Sequence, residues 1–101
     1  MMTLSQYKQF ADVAKKAYLH ACEKHPVFTD KVSHCDIVDI RRFLNECRKS
    51  NDEGNVSFAS ILEEELAEYI EASLVGNAEA AKRELLDVAA VIMREWERIS
   101  K

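Results

Sequence analysis

The chain has 101 residues, so we expect a single domain over residues 1–101, and so short a chain can bury only a modest core by itself. It is 48% hydrophobic and 32% charged with two Gly and one Pro, a composition typical of helical globular proteins. Residues 1–59 hold nine Lys/Arg and eight Asp/Glu, a net charge of +1, whereas residues 60–101 hold five Lys/Arg and ten Asp/Glu, a net charge of −5. The acidic second half argues against nucleic acid as the main partner and suits a cation.

No apolar run approaches the roughly 20 residues that a membrane-spanning helix needs. The segment from Met1 to Phe10 also lacks the apolar stretch of a signal peptide. The three cysteines, Cys22, Cys35 and Cys47, show no CxxC spacing, which fits a reducing compartment. We therefore expect a cytoplasmic protein that does not bind membranes.

The first half of the chain predicts two helices. Apolar residues recur at three- and four-residue spacing over Leu4–Lys24, which indicates an amphipathic helix. Pro26 disfavours helical geometry in the residue before it, so residues 25–33 are expected to form a loop. A second helix is predicted over Cys35–Lys49, and the polar run Ser50–Asn55 is typical of a loop.

The second half predicts two longer helices, over Ser57–Val75 and Ala78–Ile99. Ser57 and Ser60 are equally good starts for the first of them, and Ser60 with Glu63 has the spacing of a capping box. Gly76-Asn77 predicts a helix end followed by a new N-cap. So short a link makes the two helices an antiparallel hairpin, and the whole chain an all-α, four-helix bundle.

Two pairs of acidic residues lie on the helices of this hairpin. Glu65 and Glu68 are three residues apart, as are Glu84 and Asp87, so each pair occupies one helix face. On a helical wheel Glu65 lies inside the apolar arc, while Glu68 and Glu84 flank the apolar stripes. Asp87 lies further round and is the least well placed of the four.

Carboxylates that share a groove of low polarity must protonate, pair or bind a cation. Lys82 and Arg83 point elsewhere on the last helix, so they do not neutralise the acids. A hard divalent ion with oxygen ligands would do so, and Mg²⁺ fits because it binds few carboxylates together with waters and phosphates. The alternative is that these acids form a solvated surface, as Glu-rich helices usually do.

The segment Glu64-Glu65-Leu66-Ala67-Glu68, followed after fifteen residues by Glu84-Leu85-Leu86-Asp87, resembles the EExxE…ExxD signature of the all-α NTP pyrophosphohydrolases. That superfamily includes MazG, the dimeric dUTPases and phosphoribosyl-ATP pyrophosphohydrolase. The resemblance implies a MazG-like bundle that assembles as a dimer or tetramer and hydrolyses (d)NTPs to (d)NMP and pyrophosphate, as in nucleotide-pool house-cleaning. It also implies that Glu65, Glu68, Glu84 and Asp87 bind Mg²⁺, with Mn²⁺ as a substitute, and that Glu64 and Glu65 are catalytic.

Several residues are candidates for binding the nucleotide. The phosphates would need cations, and Lys82, Arg83, Arg94, Arg98 and the pairs Arg41-Arg42 and Arg48-Lys49 are available without the spacing selecting among them. Trp96 and Tyr69 could stack on a base, although aromatic residues at helical spacing more often pack in a core.

Three other interpretations remain open from the sequence. The chain could be a non-catalytic helical interaction module, or a relative that binds nucleotides without turnover. Cys22, His25, His34 and Cys35 could ligate zinc, but their spacing matches no common zinc module. A glycine-rich phosphate loop is excluded because the only glycines are Gly54 and Gly76.

Overall fold

The protein, as a computed structural model, is described over residues 1–28 and 36–100. Within these ranges the chain forms four α-helices and no strand, which confirms the predicted all-α class for this part of the molecule. The helices are α1 (Leu4–Lys24), α2 (Ile37–Asp52), α3 (Phe58–Leu74) and α4 (Ala78–Ile99). None of them is both long enough and apolar enough to cross a membrane.

The ends of α1 lie where the sequence predicts them. At its start the Gln6 amide donates to Thr3 Oγ1 at 3.1 Å, and the Thr3 amide donates to Gln6 Oε1 at 2.8 Å. This reciprocal pair is a capping box, which satisfies N–H groups that the first turn leaves without helical partners. The helix ends at Lys24 with His25 as its C-cap, and most of the predicted loop over residues 25–33 lies outside the described residues.

The boundaries of α2 differ from the prediction. Asp36 is the N-cap, with its carboxylate accepting the Asp39 amide at 2.8 Å, and Cys35 lies outside the described residues. At the other end the predicted loop over residues 50–55 is wrong for its first three residues, because the helix continues through Asp52. The turn comes at Gly54, whose φ of +89° suits a residue without a Cβ.

Hydrogen bonds to α3 explain why α2 extends beyond the end that its local sequence predicts. Ser, Asn and Asp favour turns when only local bonds are considered. Here Asn51 Nδ2 lies 3.2 Å from the carbonyl oxygen of Ser60 and 3.1 Å from Glu64 Oε1, so its amide donates across the helix pair. These non-local bonds keep the last turn of α2 helical.

The link between α3 and α4 is as short as predicted. Gly76 has a φ of +74°, and the amides of Gly76 and Asn77 donate to the carbonyls of Ser73 and Ala72. This is a Schellman motif, which closes the end of α3. Asn77 then caps α4, its Oδ1 accepting the Ala80 amide at 3.1 Å. Ser57 caps the start of α3, with Ser60 as its reciprocal partner.

The described residues group into two compact units, one of residues 36–95 and one of residues 1–28 with 96–100. In the first unit α2 and α3 pack closely along an apolar seam. Ile40, Leu44 and Ala67 form its buried cluster, against which the partly buried Ile37, Ile70 and Leu74 pack. Leu44 is only 1% exposed, whereas α4 has no buried residue.

The second unit contains α1 and the end of α4. The rings of Phe10 and Trp96 meet edge to face, with their centroids 5.4 Å apart. The N-terminal ammonium of Met1 lies 3.8 Å from Glu97 Oε2. No residue of α1 is buried.

Candidate metal centre

Three of the predicted metal ligands come together between α3 and α4. Glu65, Glu84 and Asp87 each offer a carboxylate oxygen, and these oxygens all lie within 4.8 Å of one another. We call these three residues the acidic triad. Glu65 and Glu84 are half-buried and Asp87 is exposed. Asp87, which the helical wheel placed least well, therefore belongs to the triad.

Two oxygens of the triad are buried without a partner. Glu65 Oε2 and Glu84 Oε2 are both shielded from solvent and accept no hydrogen bond among the described residues. A buried polar atom without a partner is destabilising, and the penalty is larger for a charged one. The folded chain thus holds two carboxylates whose bonding capacity is incomplete.

The same environment raises the pKa of both groups. Burial, followed by repulsion from Glu68 and Asp87, raises the pKa of Glu65 from 4.5 to about 7. Burial, followed by hydrogen bonding to Glu68 and repulsion from it, raises the pKa of Glu84 from 4.5 to about 7. Both shifts disfavour the ionised form, as expected where like charges crowd a poorly solvated site.

Glu68, the fourth predicted ligand, has a partner on another helix. Arg48 of α2 donates through Nη2 to Glu68 Oε1 at 3.4 Å. The Glu68 side chain is 20% exposed, and it lies close enough to Glu65 and Glu84 to contribute to the raised pKa of both carboxyl groups. It therefore lies between the acidic triad and a guanidinium group that the sequence could not place.

Glu64, the predicted accessory acid, is held by α2. Its Oε1 accepts a hydrogen bond from Asn51 Nδ2 at 3.1 Å, and its side chain is half-buried. It also lies close enough to Glu65 to contribute to the raised pKa of that carboxyl group. Asn51 is a candidate site residue that the sequence did not indicate, because it lies in a segment predicted to be a loop.

A cavity of about 290 Å³ adjoins the triad. Its charged lining comprises two arginines of α2 and three glutamates of α3 and α4, namely Arg41, Arg48, Glu68, Glu71 and Glu84. Arg41 donates through Nε to Glu71 Oε2 at 3.0 Å, a second ion pair between α2 and α3. Since Glu84 lines the cavity and belongs to the triad, the two features are contiguous.

The residues predicted to bind substrate lie elsewhere. Lys82, Arg83 and Arg94 are exposed and do not line the cavity. Tyr69 is half-buried on α3, and Trp96 packs on Phe10 in the other unit. Of the cations named from the sequence, Arg41 and Arg48 are the two that the fold brings to the cavity. The sequence signal that could have selected these two arginines is their seven-residue spacing. This spacing places both on one face of α2, beside its apolar stripe.

The zinc alternative gains no support from the described residues. Cys22 is exposed, and neither it nor His25 belongs to a cluster of metal-binding side chains there. His34 and Cys35 lie outside the described residues.

The donor set of the triad fits a hard divalent cation. All three ligands are carboxylates, and oxygen ligands suit Mg²⁺, Ca²⁺ and Mn²⁺ rather than softer metals. The two unpartnered oxygens, on Glu65 and Glu84, are the atoms that a cation would satisfy. The structure thus supports a site of this chemistry without selecting the ion.

No protein-family model matches this chain, and no curated protein and no solved structure is significantly similar to it.

Proposed function

We propose that this protein is a Mg²⁺-dependent nucleoside triphosphate pyrophosphohydrolase that resembles MazG and converts (d)NTPs to (d)NMP and pyrophosphate. The observation that carries the proposal is the acidic triad, with two buried carboxylate oxygens that have no partner among the described residues. Acids that served only as a solvated surface would turn those oxygens to water. The expected role is the removal of unwanted nucleotides in the cytoplasm.

Each acid has a distinct role in this proposal. Glu65, Glu84 and Asp87 hold the ion, and Glu68 joins them when it leaves Arg48. Bound Mg²⁺ supplies charge neutralisation of the triphosphate and a lower pKa for a coordinated water, with Mn²⁺ as a substitute. Glu64 accepts the proton of the attacking water, and Asn51 fixes the orientation of the Glu64 carboxylate.

The small buried core supports self-association. Five residues of the described part are buried apolar residues, whereas α4 exposes Leu86 by 71% and Ile99 by 67%. A chain of this size that buries so little gains stability from covering such side chains in an oligomer. We therefore propose a homodimer or homotetramer. The same exposed side chains favour the second candidate function, a non-catalytic interaction module.

A pyrophosphate-release assay decides between the two functions. The assay covers the eight common NTPs and dNTPs, in Mg²⁺ and in EDTA, with the wild type and a Glu65→Gln/Glu84→Gln variant. We expect release that needs Mg²⁺ and that the double variant loses. Glu79→Gln is the matched control, because Glu79 is an exposed acid on α4 outside the triad. Undiminished release by the double variant would refute the catalytic proposal.

A further inference from the structure

The cavity beside the acidic triad is also lined by positive charge, which two arginines of α2 supply. Arg41 and Arg48 are seven residues apart, which is about two turns or roughly 10 Å along one helix face. Both side chains line the cavity, and both remain about half-exposed, at 57% and 49%. Two guanidinium groups therefore reach one concave site from points two turns apart.

The ion pairs of Arg41 and Arg48 contribute too little stability to explain why both arginines lie at the cavity. Arg41–Glu71 and Arg48–Glu68 are partly exposed pairs, and such pairs stabilise folded proteins very little. A guanidinium group carries five N–H donors in a planar fork. Each described pair engages one nitrogen of its arginine, so donors remain for a ligand in the cavity.

The size of the cavity limits what it can hold. Its volume of about 290 Å³ lies at the lower end of the roughly 300–1,000 Å³ of small-molecule sites. It thus suits a part of a nucleotide rather than the whole. Arginine binds phosphate oxygens in a bidentate manner, so the charged part of a nucleotide fits this lining better than the base does.

We propose that Arg41 and Arg48 form the subsite for the two terminal phosphates of the substrate, the part that leaves as pyrophosphate. This inference rests on the proposed function, which places the scissile bond at the triad. Glu71 and Glu68 hold the two guanidinium groups until the phosphates replace them. Arg41 and Arg48 are therefore substrate-binding residues, and Glu71 competes with the substrate for Arg41.

The charges of the cavity give this subsite a dependence on the cation. Three carboxylates, those of Glu68, Glu71 and Glu84, line the cavity against two guanidinium groups. An anion meets net repulsion there until a divalent cation at the triad offsets the negative charge. Terminal phosphates and Mg²⁺ thus bind with positive coupling, and each raises the affinity for the other.

Calorimetric titration with the preformed magnesium complex of pyrophosphate tests the subsite without any turnover. We expect Arg41→Met and Arg48→Met each to weaken binding by about tenfold or more, as for the loss of a charge-assisted hydrogen bond. Arg42→Met is the matched control, because Arg42 is an exposed arginine of α2 that does not line the cavity. Glu71→Gln is expected to tighten binding, since it removes the competitor of Arg41.

The Glu71→Gln result also covers the case in which an arginine variant does not fold, because both arginines remain in it. A purely structural ion pair predicts no gain in pyrophosphate affinity from Glu71→Gln, and that result would overturn the subsite. Equal affinities for Arg41→Met, Arg48→Met and Arg42→Met would also overturn it, as would a wild type that does not bind the complex.

Two further ligands separate the terminal phosphates from the rest of the nucleotide. An α,β-imido nucleoside triphosphate should lose as much affinity as pyrophosphate in the Arg41→Met and Arg48→Met variants, while a nucleoside monophosphate should lose none. Loss of monophosphate affinity alone would contradict the assignment. If pyrophosphate binding depends on the two arginines but no NTP is hydrolysed, the subsite is supported and the proposed function is refuted. If NTPs are hydrolysed but the arginine variants bind pyrophosphate as tightly as the wild type, the proposed function is supported and the subsite is refuted.

Discussion

The two sides of α3 differ in how they meet their neighbouring helices. Towards α2 the helix presents Ala67, which is 1% exposed and packs with Ile40 and Leu44 of α2. Towards α4 it presents Glu65, whose carboxylate lies near those of Glu84 and Asp87. One side excludes water from apolar surface, and the other gathers negative charge.

This contrast separates the residues that stabilise the unit, between α2 and α3, from the acidic residues that could bind a cation, between α3 and α4. The α2–α3 seam buries Ile40, Leu44 and Ala67, and burial of apolar side chains stabilises the packing of the two helices. The α3–α4 side leaves two buried carboxylate oxygens without a hydrogen bond from the described residues. Such an arrangement persists when the rest of the fold stabilises it, which is typical of functional sites. We interpret the seam as the support and the acids as the site.

The largest expected effect comes from breaking the apolar seam. Leu44 is 1% exposed, so Leu44→Ala removes buried methyl groups and leaves a cavity, at about 2–5 kcal/mol in the free energy of unfolding. Urea denaturation measures this loss. Val38→Ala is the control, because Val38 lies on the same helix and is 61% exposed. Equal losses for the two variants would show that the seam is not the core of the unit.

The next effect concerns stabilisation of the acidic side by metal. A ligand that binds only the folded state at a hundred times its Kd stabilises it by about 2.7 kcal/mol. We expect Mg²⁺ at that excess to raise the thermal midpoint of the wild type, and Glu65→Gln/Glu84→Gln to abolish the rise. Glu79→Gln, outside the triad, should retain it. A rise that persists in the double variant would place the ion elsewhere.

The pH dependence of stability without metal sharpens the same comparison. The pKa values of Glu65 and Glu84 rise on folding from 4.5 to about 7, so the folded chain holds these protons more tightly than the unfolded chain. Their contribution to stability is fully present below pH 4.5 and is lost as the pH rises through about 7.

Thermal denaturation in EDTA measures this contribution as a difference between proteins. We expect Glu65→Gln/Glu84→Gln to be more stable than the wild type at pH 8, because Gln mimics the protonated carboxyl group. The advantage should shrink as the pH falls towards 4.5. A double variant that is less stable than the wild type at every pH would contradict the crowded, poorly solvated state of the acids.

The smallest effect is expected at Asn51, which links α2 to α3. Asn51→Ala removes the hydrogen bonds to the Ser60 carbonyl and to Glu64, at about 1 kcal/mol in the free energy of unfolding. If Asn51 also orients Glu64, pyrophosphate release falls by more than the stability loss explains. Asn45→Ala, at an exposed position of α2, is the control for both measurements. A fall in stability alone would limit Asn51 to a structural role.

The sequence predicted best those features that local chemistry determines. The bounds of α1 and α4 match the prediction because caps, Pro26 and Gly76-Asn77 act within a few residues. The predicted end of α2 is wrong because Asn51 forms hydrogen bonds to α3, and a local sequence pattern does not indicate contacts with another helix.

The candidate site was predictable in part for the same reason. The spacing of three residues within each helix and the short turn at Gly76 suffice to bring Glu65, Glu84 and Asp87 together. Arg41 and Arg48 lie on α2, whose position against α3 depends on tertiary packing, so the sequence named them without selecting them. The ion pair between Arg48 and Glu68 likewise needed the fold.

The most direct test of the central claim is a calorimetric titration of Mg²⁺ into the metal-free protein at pH 7, repeated in buffers of different ionisation enthalpy. We predict one saturable site for the wild type, with release of protons because Glu65 and Glu84 have pKa values of about 7. Glu65→Gln/Glu84→Gln should show neither the site nor the proton release. A wild type without saturable binding, or equal binding by the double variant, would contradict a metal centre at the acidic triad.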